Sequence, residues 1–132
     1  MFLMRMVVLA SLLGALLVGT AGCKTKKQAS KKYWITEMKK RLPEEFCKQG
    51  GVFRECFKLT KAQCLATAKE ATKLCLNRFR SQFPKVFMQP EDGSHWGQKV
   101  GLCAGTAFEQ KHMALKQDTP ACRAAIRAAH GE

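Results

Sequence analysis

The clearest pattern in the chain is an amphipathic stripe between Thr60 and Phe83. Apolar side chains recur there at steps of three or four residues, which is the spacing of one face of an α-helix. The stripe consists of Cys64, Ala68, Ala71, Cys75 and Phe79. Thr60 and Gln63 form a capping-box pattern, so we predict a helix that begins after Thr60 and ends before Pro84.

A second amphipathic stripe predicts a helix from about Trp96 to Lys116. Its apolar positions are Val100, Cys103, Ala104, Ala107, Phe108, Ala114 and Leu115. A row of glycines at steps of four accompanies the stripe, at Gly97, Gly101 and Gly105. Each glycine in a helix interior costs about 1 kcal/mol relative to alanine. The row therefore predicts close approach by another helix of the same domain, with a partner helix or a flat ligand as the alternative.

The remaining segments also favour helices. A first short helix begins near Tyr33 and is expected to stop at Leu42, because the residue before Pro43 avoids the helical region. A last helix begins at residues 118–120, where a cap is followed by a proline. No sustained alternation of period two is present. We therefore predict an all-α, disulfide-stapled domain built on an antiparallel helix hairpin.

Residues 84–96 separate the two long helices and are predicted to form the longest loop, with a turn at residues 90–93 and a helix cap at Ser94. Apolar side chains in a long loop are candidate anchors for a partner. The predicted partner-binding residues of this loop are Phe87, Met88, His95 and Trp96. The alternative is that Phe87 and Trp96 fold back onto the hairpin.

The hairpin predicts one disulfide. Cys75 lies eight residues before Phe83, and Cys103 lies seven residues after Trp96, so the two cysteines reach the same height on facing stripes. The other four cysteines allow three pairings. Extending the hairpin register favours Cys64–Cys122 and Cys47–Cys56.

The first 23 residues predict export. Arg5 precedes an apolar run at residues 6–18 that is shorter than the ~20 residues of a spanning helix, and small residues follow, as in a secretory signal peptide. Ala21-Gly22-Cys23 resembles the lipobox of bacterial lipoproteins. The resemblance implies removal of residues 1–22 and acylation of Cys23. Lys24, rather than an aspartate, follows the cysteine, which resembles Gram-negative lipoproteins that are sorted to the outer membrane. Without acylation the protein is expected to be soluble in the periplasm or secreted.

Export agrees with the cysteine count. Six cysteines remain once Cys23 is set aside, and an even number in a small exported domain indicates a disulfide framework. Residues 24–32 follow, and five of these nine residues are lysine. Such a segment is predicted to stay flexible. The expected organisation is a signal peptide at 1–22, a lipidated cysteine and polybasic tether at 23–32, and a helical domain at 33–132.

The charge favours acidic partners. The formal net charge is +13, and such a field attracts anionic lipids, lipopolysaccharide or an acidic protein. Nucleic acid is not expected, because the basic residues are dispersed and the chain is exported. No catalytic motif is present, and no cofactor or metal site is expected. His95 lies near Glu91 and Asp92, but turn formation accounts for both acids, and His112 is predicted at the edge of the core.

These observations predict a non-catalytic binding protein, anchored by lipid to the periplasmic side of the outer membrane, that neutralises or positions another protein. Inhibitors and immunity lipoproteins share this general design. One alternative is a structural lipoprotein of an envelope secretion or conjugation assembly. The other is a binder of anionic lipid or lipopolysaccharide that acts through charge alone.

Overall fold

The computed structural model describes residues 27–132 as a set of helices with one small sheet. In chain order the elements are β1 (Lys27–Ser30), α1 (Lys31–Phe46), α2 (Val52–Glu55), α3 (Lys61–Phe79), β2 (Val86–Gln89), α4 (Glu91–His112), a 3-10 turn (Met113–Leu115) and α5 (Pro120–Ala129). The all-α prediction is confirmed, since α3 and α4 form an antiparallel hairpin against which α1 and the sheet pack. No helix of residues 27–132 is long and apolar enough to span a membrane.

Helix α3 begins with the predicted capping box. The Gln63 backbone N–H donates to Thr60 Oγ1 at 3.2 Å, and the Thr60 N–H donates to Gln63 Oε1 at 2.9 Å. The predicted stripe faces inward, because Cys64, Ala68 and Cys75 are completely buried. Local sequence therefore determines both the start of this helix and the face that it buries.

Helix α1 continues through Pro43, so the predicted break at Leu42 is wrong. The Cys47 backbone N–H still donates to the Pro43 carbonyl at 3.1 Å. Proline lacks the N–H that would extend the helix backwards, but the Pro43 ring is fully buried in the interior. Its packing offsets the missing hydrogen bond.

The sheet is a correction to the predicted tether. Strand β1 pairs antiparallel with β2, with Ala29 opposite Phe87, and the Tyr33 N–H donates to Ser30 Oγ at 3.2 Å to cap α1. Residues 27–32 are thus part of the fold, because strand pairing uses backbone groups and needs no apolar side chains. The signal peptide, Cys23 and residues 24–26 lie outside the described residues.

The loop predicted for residues 84–96 is also largely structured. Residues 86–89 form β2, and α4 begins at Glu91 rather than at Trp96. The Ser94 N–H donates to the Pro90 carbonyl at 2.9 Å, so the predicted turn is the first turn of the helix. Acidic residues suit the positive end of a helix dipole, and Asp92 also accepts from the Met88 N–H at 2.7 Å.

The other end of α4 differs as well. The helix ends at His112, and Ala114 and Leu115 are exposed rather than part of the buried stripe. The chain turns away because backbone bonds draw it towards residues 56–58. The Lys58 N–H donates to the Leu115 carbonyl at 2.9 Å, and the Gln117 N–H donates to the Cys56 carbonyl at 2.9 Å.

The direction of the chain after α4 determines where Cys122 lies and therefore which cysteines can pair. The predicted Cys75–Cys103 bond is present across the α3–α4 hairpin. The predicted Cys64–Cys122 and Cys47–Cys56 pairings are wrong, because the bonds are Cys47–Cys64 and Cys56–Cys122. The C-cap of α1 lies beside the first turn of α3, which joins Cys47 to Cys64. The chain after α4 crosses to residue 56, which brings Cys122 there.

The glycine row meets little of the close packing that it predicted. A Cβ placed on Gly97 or Gly101 would have no neighbour within 4 Å. A Cβ on Gly105 would lie 3.4 Å from Phe53 Cζ and 3.9 Å from Phe46 Cζ. Of the three glycines in the row, only Gly105 is therefore close to another part of the domain. Aromatic side chains rather than a helix backbone approach it.

The core forms two connected clusters. The first lies between α1, the sheet and the hairpin and includes Trp34, Leu76, Phe83, Phe87 and Val100. The second contains Phe57, Phe108 and the Cys47–Cys64 and Cys56–Cys122 disulfides. The Cys75–Cys103 bond belongs to the first cluster, so both clusters are cross-linked.

Phe87→Ala is expected to lower the free energy of unfolding by about 3–5 kcal/mol, because it removes a completely buried aromatic ring. Denaturant unfolding of the oxidised protein measures this loss. Val86→Ala, one residue away and 46% exposed, serves as the matched control and should change stability by less than about 0.5 kcal/mol. Equal losses in both variants would contradict the packing described for β2.

Candidate protein-binding surface

The predicted contact residue Phe87 is completely buried. Its ring stacks on Trp34, with 4.4 Å between centroids and 12° between planes, and meets Phe83 edge-on at 5.8 Å. The prediction that Phe87 contacts a partner is therefore wrong. The reason is that β1 pairs with β2 and directs this side chain onto α1.

Trp96 likewise folds back onto the hairpin. Its ring lies edge-on to Phe83 at 5.1 Å and 6.1 Å from Phe79. His95 remains exposed beside it, and Met88 is half-buried on the opposite side of β2 from Phe87, since side chains alternate along a strand. The four predicted residues thus do not form one contact surface.

The histidines are placed separately. His112 Nε2 lies 2.7 Å from Thr67 Oγ1, and its ring contacts Phe108 at 5.2 Å, so the predicted position at the core edge is confirmed. His130 caps the C-terminus of α5 and is exposed. Within residues 27–132, no group of three or more histidine, cysteine or acidic side chains is arranged to hold a metal ion.

A more suitable contact surface lies on the outer side of the hairpin. We call it the α3–α4 groove and define it by Leu74, Arg78, Phe79, Lys99, Leu102, Cys103, Thr106, Ala107 and Gln110. It has a volume of ≈ 590 Å³. It continues into a second depression of ≈ 310 Å³ that shares Leu74 and Ala107 and adds Thr67, Glu70, Ala71 and Lys111.

Two leucines dominate the α3–α4 groove. Leu102 is 75% exposed and Leu74 is 62% exposed, which makes them the two most exposed large hydrophobic side chains of the described residues. Each precedes a cysteine of the Cys75–Cys103 disulfide in the chain. The bond therefore fixes the spacing of the two helices directly beneath both leucines. Exposed apolar side chains that share one groove mark an interaction site more strongly than scattered ones.

The α3–α4 groove is basic at the end that contains Arg78 and Lys99. At this end Arg78 Nη1 approaches Cys103 Sγ at 3.9 Å and Lys99 Nζ lies 4.9 Å from the centre of the Trp96 ring. Among the described residues neither cation forms an ion pair with a carboxylate. In the adjoining depression Lys111 pairs with Glu70. The hydrogen bond and charge of Lys111 lower the pKa of the Glu70 carboxyl.

The α3–α4 groove differs from the predicted contact surface, which was expected in the loop at residues 84–96. The available signal was the position of Leu74 and Leu102 outside the buried stripes of their helices. A leucine on the polar side of an amphipathic helix has no core to enter. That both leucines share one groove follows only from the way α3 and α4 pack.

Lys111→Met is expected to raise the pKa of the Glu70 carboxyl towards its ordinary value, because both lowering interactions come from Lys111. A depressed pKa in the folded state stabilises the protein above the unfolded pKa, and this contribution is lost as the pH falls through the folded pKa. NMR titration of the side-chain carboxyl measures the midpoint. Lys61→Met, an exposed change at the other end of α3 and nine residues from Glu70, should leave the midpoint unchanged, and an unchanged midpoint in Lys111→Met would contradict the pairing.

Comparison with known proteins places the chain in a family. The family model of NttA, described as a substrate of the type II secretion system (T2SS), matches residues 28–116, which is more than half of the chain. No curated protein and no solved structure matches this chain. The matched span begins in β1 and includes the whole hairpin with Cys75 and Cys103. Membership of a family of secretion substrates implies export to the periplasm or beyond, where disulfides persist. The chain belongs to the NttA family of type II secretion system substrates.

Proposed function

We propose that this protein is an exported, non-catalytic binding protein that neutralises or positions another protein. The observation that carries this proposal is the α3–α4 groove, in which two largely exposed leucines are held by the disulfide beneath them. A monomeric domain gains nothing from exposing them, whereas a partner that covered them would bury apolar surface. Export of the family agrees with a partner outside the cytoplasm.

The arrangement of reactive side chains supports binding rather than catalysis. Nucleophilic cysteine chemistry needs a free thiolate, and all six cysteines between residues 27 and 132 are in disulfides. In the same residues, His112 bonds to Thr67, His95 lies against Trp96 and His130 ends α5. A rigid helical domain that presents an apolar groove suits recognition.

We propose further that Cys23 carries a lipid that anchors the protein to the periplasmic side of the outer membrane. The support is the Ala21-Gly22-Cys23 sequence together with the odd number of cysteines, which is seven. The other six cysteines pair with one another, which leaves Cys23 for acylation. Lys27 is only four residues away, so the anchor would hold β1 within about 14 Å of the membrane surface.

A second candidate function is binding of anionic lipid. Lys27, Lys31 and Lys32 are the described lysines that follow Cys23 most closely in the sequence, and Tyr33, the next residue, is 58% exposed. Lysines near an anionic surface contribute about 1 kcal/mol each, and tyrosine suits the membrane interface. This observation favours attachment of the domain to head groups, either as its function or as an aid to the anchor.

Acylation is tested by metabolic labelling of the full chain with a palmitate analogue in a cell that processes lipoproteins. The wild-type chain should incorporate the label and sediment with membranes. Cys23→Ala should abolish incorporation and leave the protein in the soluble fraction, because the thiol that accepts the lipid is gone. Label retained in Cys23→Ala, or none in the wild type, would contradict the anchor. Lys24→Ala, which keeps the thiol, is the matched control.

Partner binding is tested by capture with the full chain, carrying a C-terminal tag and produced without reduction in its exporting cell. Bound material is washed first at low salt and then at about 1 M NaCl, where the screening length falls to about 3 Å. Apolar contact resists such a wash, so one protein should remain in near-equal amount. Retention of lipid alone, lost at high salt, would replace the proposal with the charge-driven function. Retention of a large set of envelope proteins would favour a structural role.

A further inference from the structure

We propose that the α3–α4 groove binds an acidic amphipathic helix of a partner protein. This inference rests on the proposed binding function and names the chemistry of the partner. Three features of the groove carry it: the position of its apolar anchors, its length, and its uncompensated cations.

The apolar anchors match one face of a helix. Leu74 stands on one side of the groove and Leu102 on the other, with Cys103 and Ala107 among the lining residues between them. A docked helix places its apolar side chains at i, i+3 or i+4, and i+7. Such a row fits between the two leucines, and the small Ala107 leaves room for it.

The length of the groove suits a helix of about three turns. Along α4 the lining runs from Lys99 to Gln110, with Leu102 and Thr106 between them. At 1.5 Å per residue this distance is about 16 Å. An extended peptide would span the same distance in about five residues, but it would find no strand edge among the helical residues that line the groove.

The charges favour an acidic occupant. Arg78 and Lys99 stand together at one end, and neither forms an ion pair with a carboxylate of the described residues. Glutamate or aspartate side chains beside the apolar row of a docked helix would reach both cations. Lys111 in the adjoining depression is already paired with Glu70, so the attraction is strongest at the end of the groove that contains Arg78.

The charges also disfavour a second copy of this chain in the groove. The formal net charge of +13 makes two copies repel each other. Self-association is therefore an alternative that the experiment has to exclude.

The test uses the full, oxidised chain and a synthetic helix of about 18 residues, with leucine at the anchor spacing and glutamate on the flanking positions. Fluorescence anisotropy of the labelled peptide measures affinity. The double variant Leu74→Ser with Leu102→Ser should weaken binding by about tenfold or more, because both anchors are lost. The double variant Val86→Ser with Met113→Ser removes two exposed apolar side chains elsewhere and should change affinity by less than about twofold.

A second pair of measurements tests the charge. Arg78→Glu with Lys99→Glu should weaken binding of the glutamate peptide and strengthen binding of the same peptide with lysine in place of glutamate. Thermal melts of every variant confirm folding, which is expected because the altered positions are exposed. Sedimentation of the wild-type chain alone measures self-association.

The inference is overturned by equal affinity of the wild type and the Leu74/Leu102 variant for the glutamate peptide. Absence of peptide binding to the wild type overturns it as well, as does equal binding of the lysine peptide. Self-association that disappears in the leucine variant would assign the groove to a second copy. None of these results affects salt-resistant capture of a partner, which tests the proposed function separately.

Discussion

The Cys75–Cys103 disulfide between α3 and α4 is the constraint on which the rest of the structure depends. A bond at matching heights in an antiparallel hairpin fixes the register and spacing of both helices. One side of the hairpin then supplies the buried surface for α1 and the sheet, where Leu76 and Val100 pack. The opposite side keeps Leu74 and Leu102 at a fixed distance in the α3–α4 groove. The same covalent link therefore supports the core and the proposed binding surface.

The N-terminal part of the domain is held by aromatic packing rather than by a disulfide. Trp34 of α1 stacks on Phe87 of β2, and Phe83 meets both rings edge-on. Because β1 pairs with β2, this cluster also holds β1, which begins at Lys27, in a fixed position. The described lysines nearest the proposed anchor thus belong to a rigid domain, and Tyr33 is held beside them.

Export, charge and the groove are the three features behind the proposal that this protein binds another protein outside the cytoplasm. Disulfides suit that environment, and the positive net charge attracts acidic surfaces over a distance that salt limits. In the proposed complex, charge would speed association and favour acidic partners, whereas contact with the two leucines would resist salt. A basic domain without exposed anchors would bind many anionic surfaces weakly. The combination of both features favours one partner with a complementary helix.

The sequence by itself determined what depends on neighbouring residues. The spacing of apolar positions predicted α3 and most of α4, the capping box at Thr60 is present, and the hairpin register alone gave Cys75–Cys103. The tertiary structure decided what depends on distant residues. It showed that Phe87 is buried, that residues 27–30 form a strand, and that Cys56 pairs with Cys122. It also brought Leu74 and Leu102 into one groove. The physical reason is that helix caps and amphipathic stripes act over one or two turns, whereas strand pairing, disulfide partners and grooves require segments that meet only when the whole core packs.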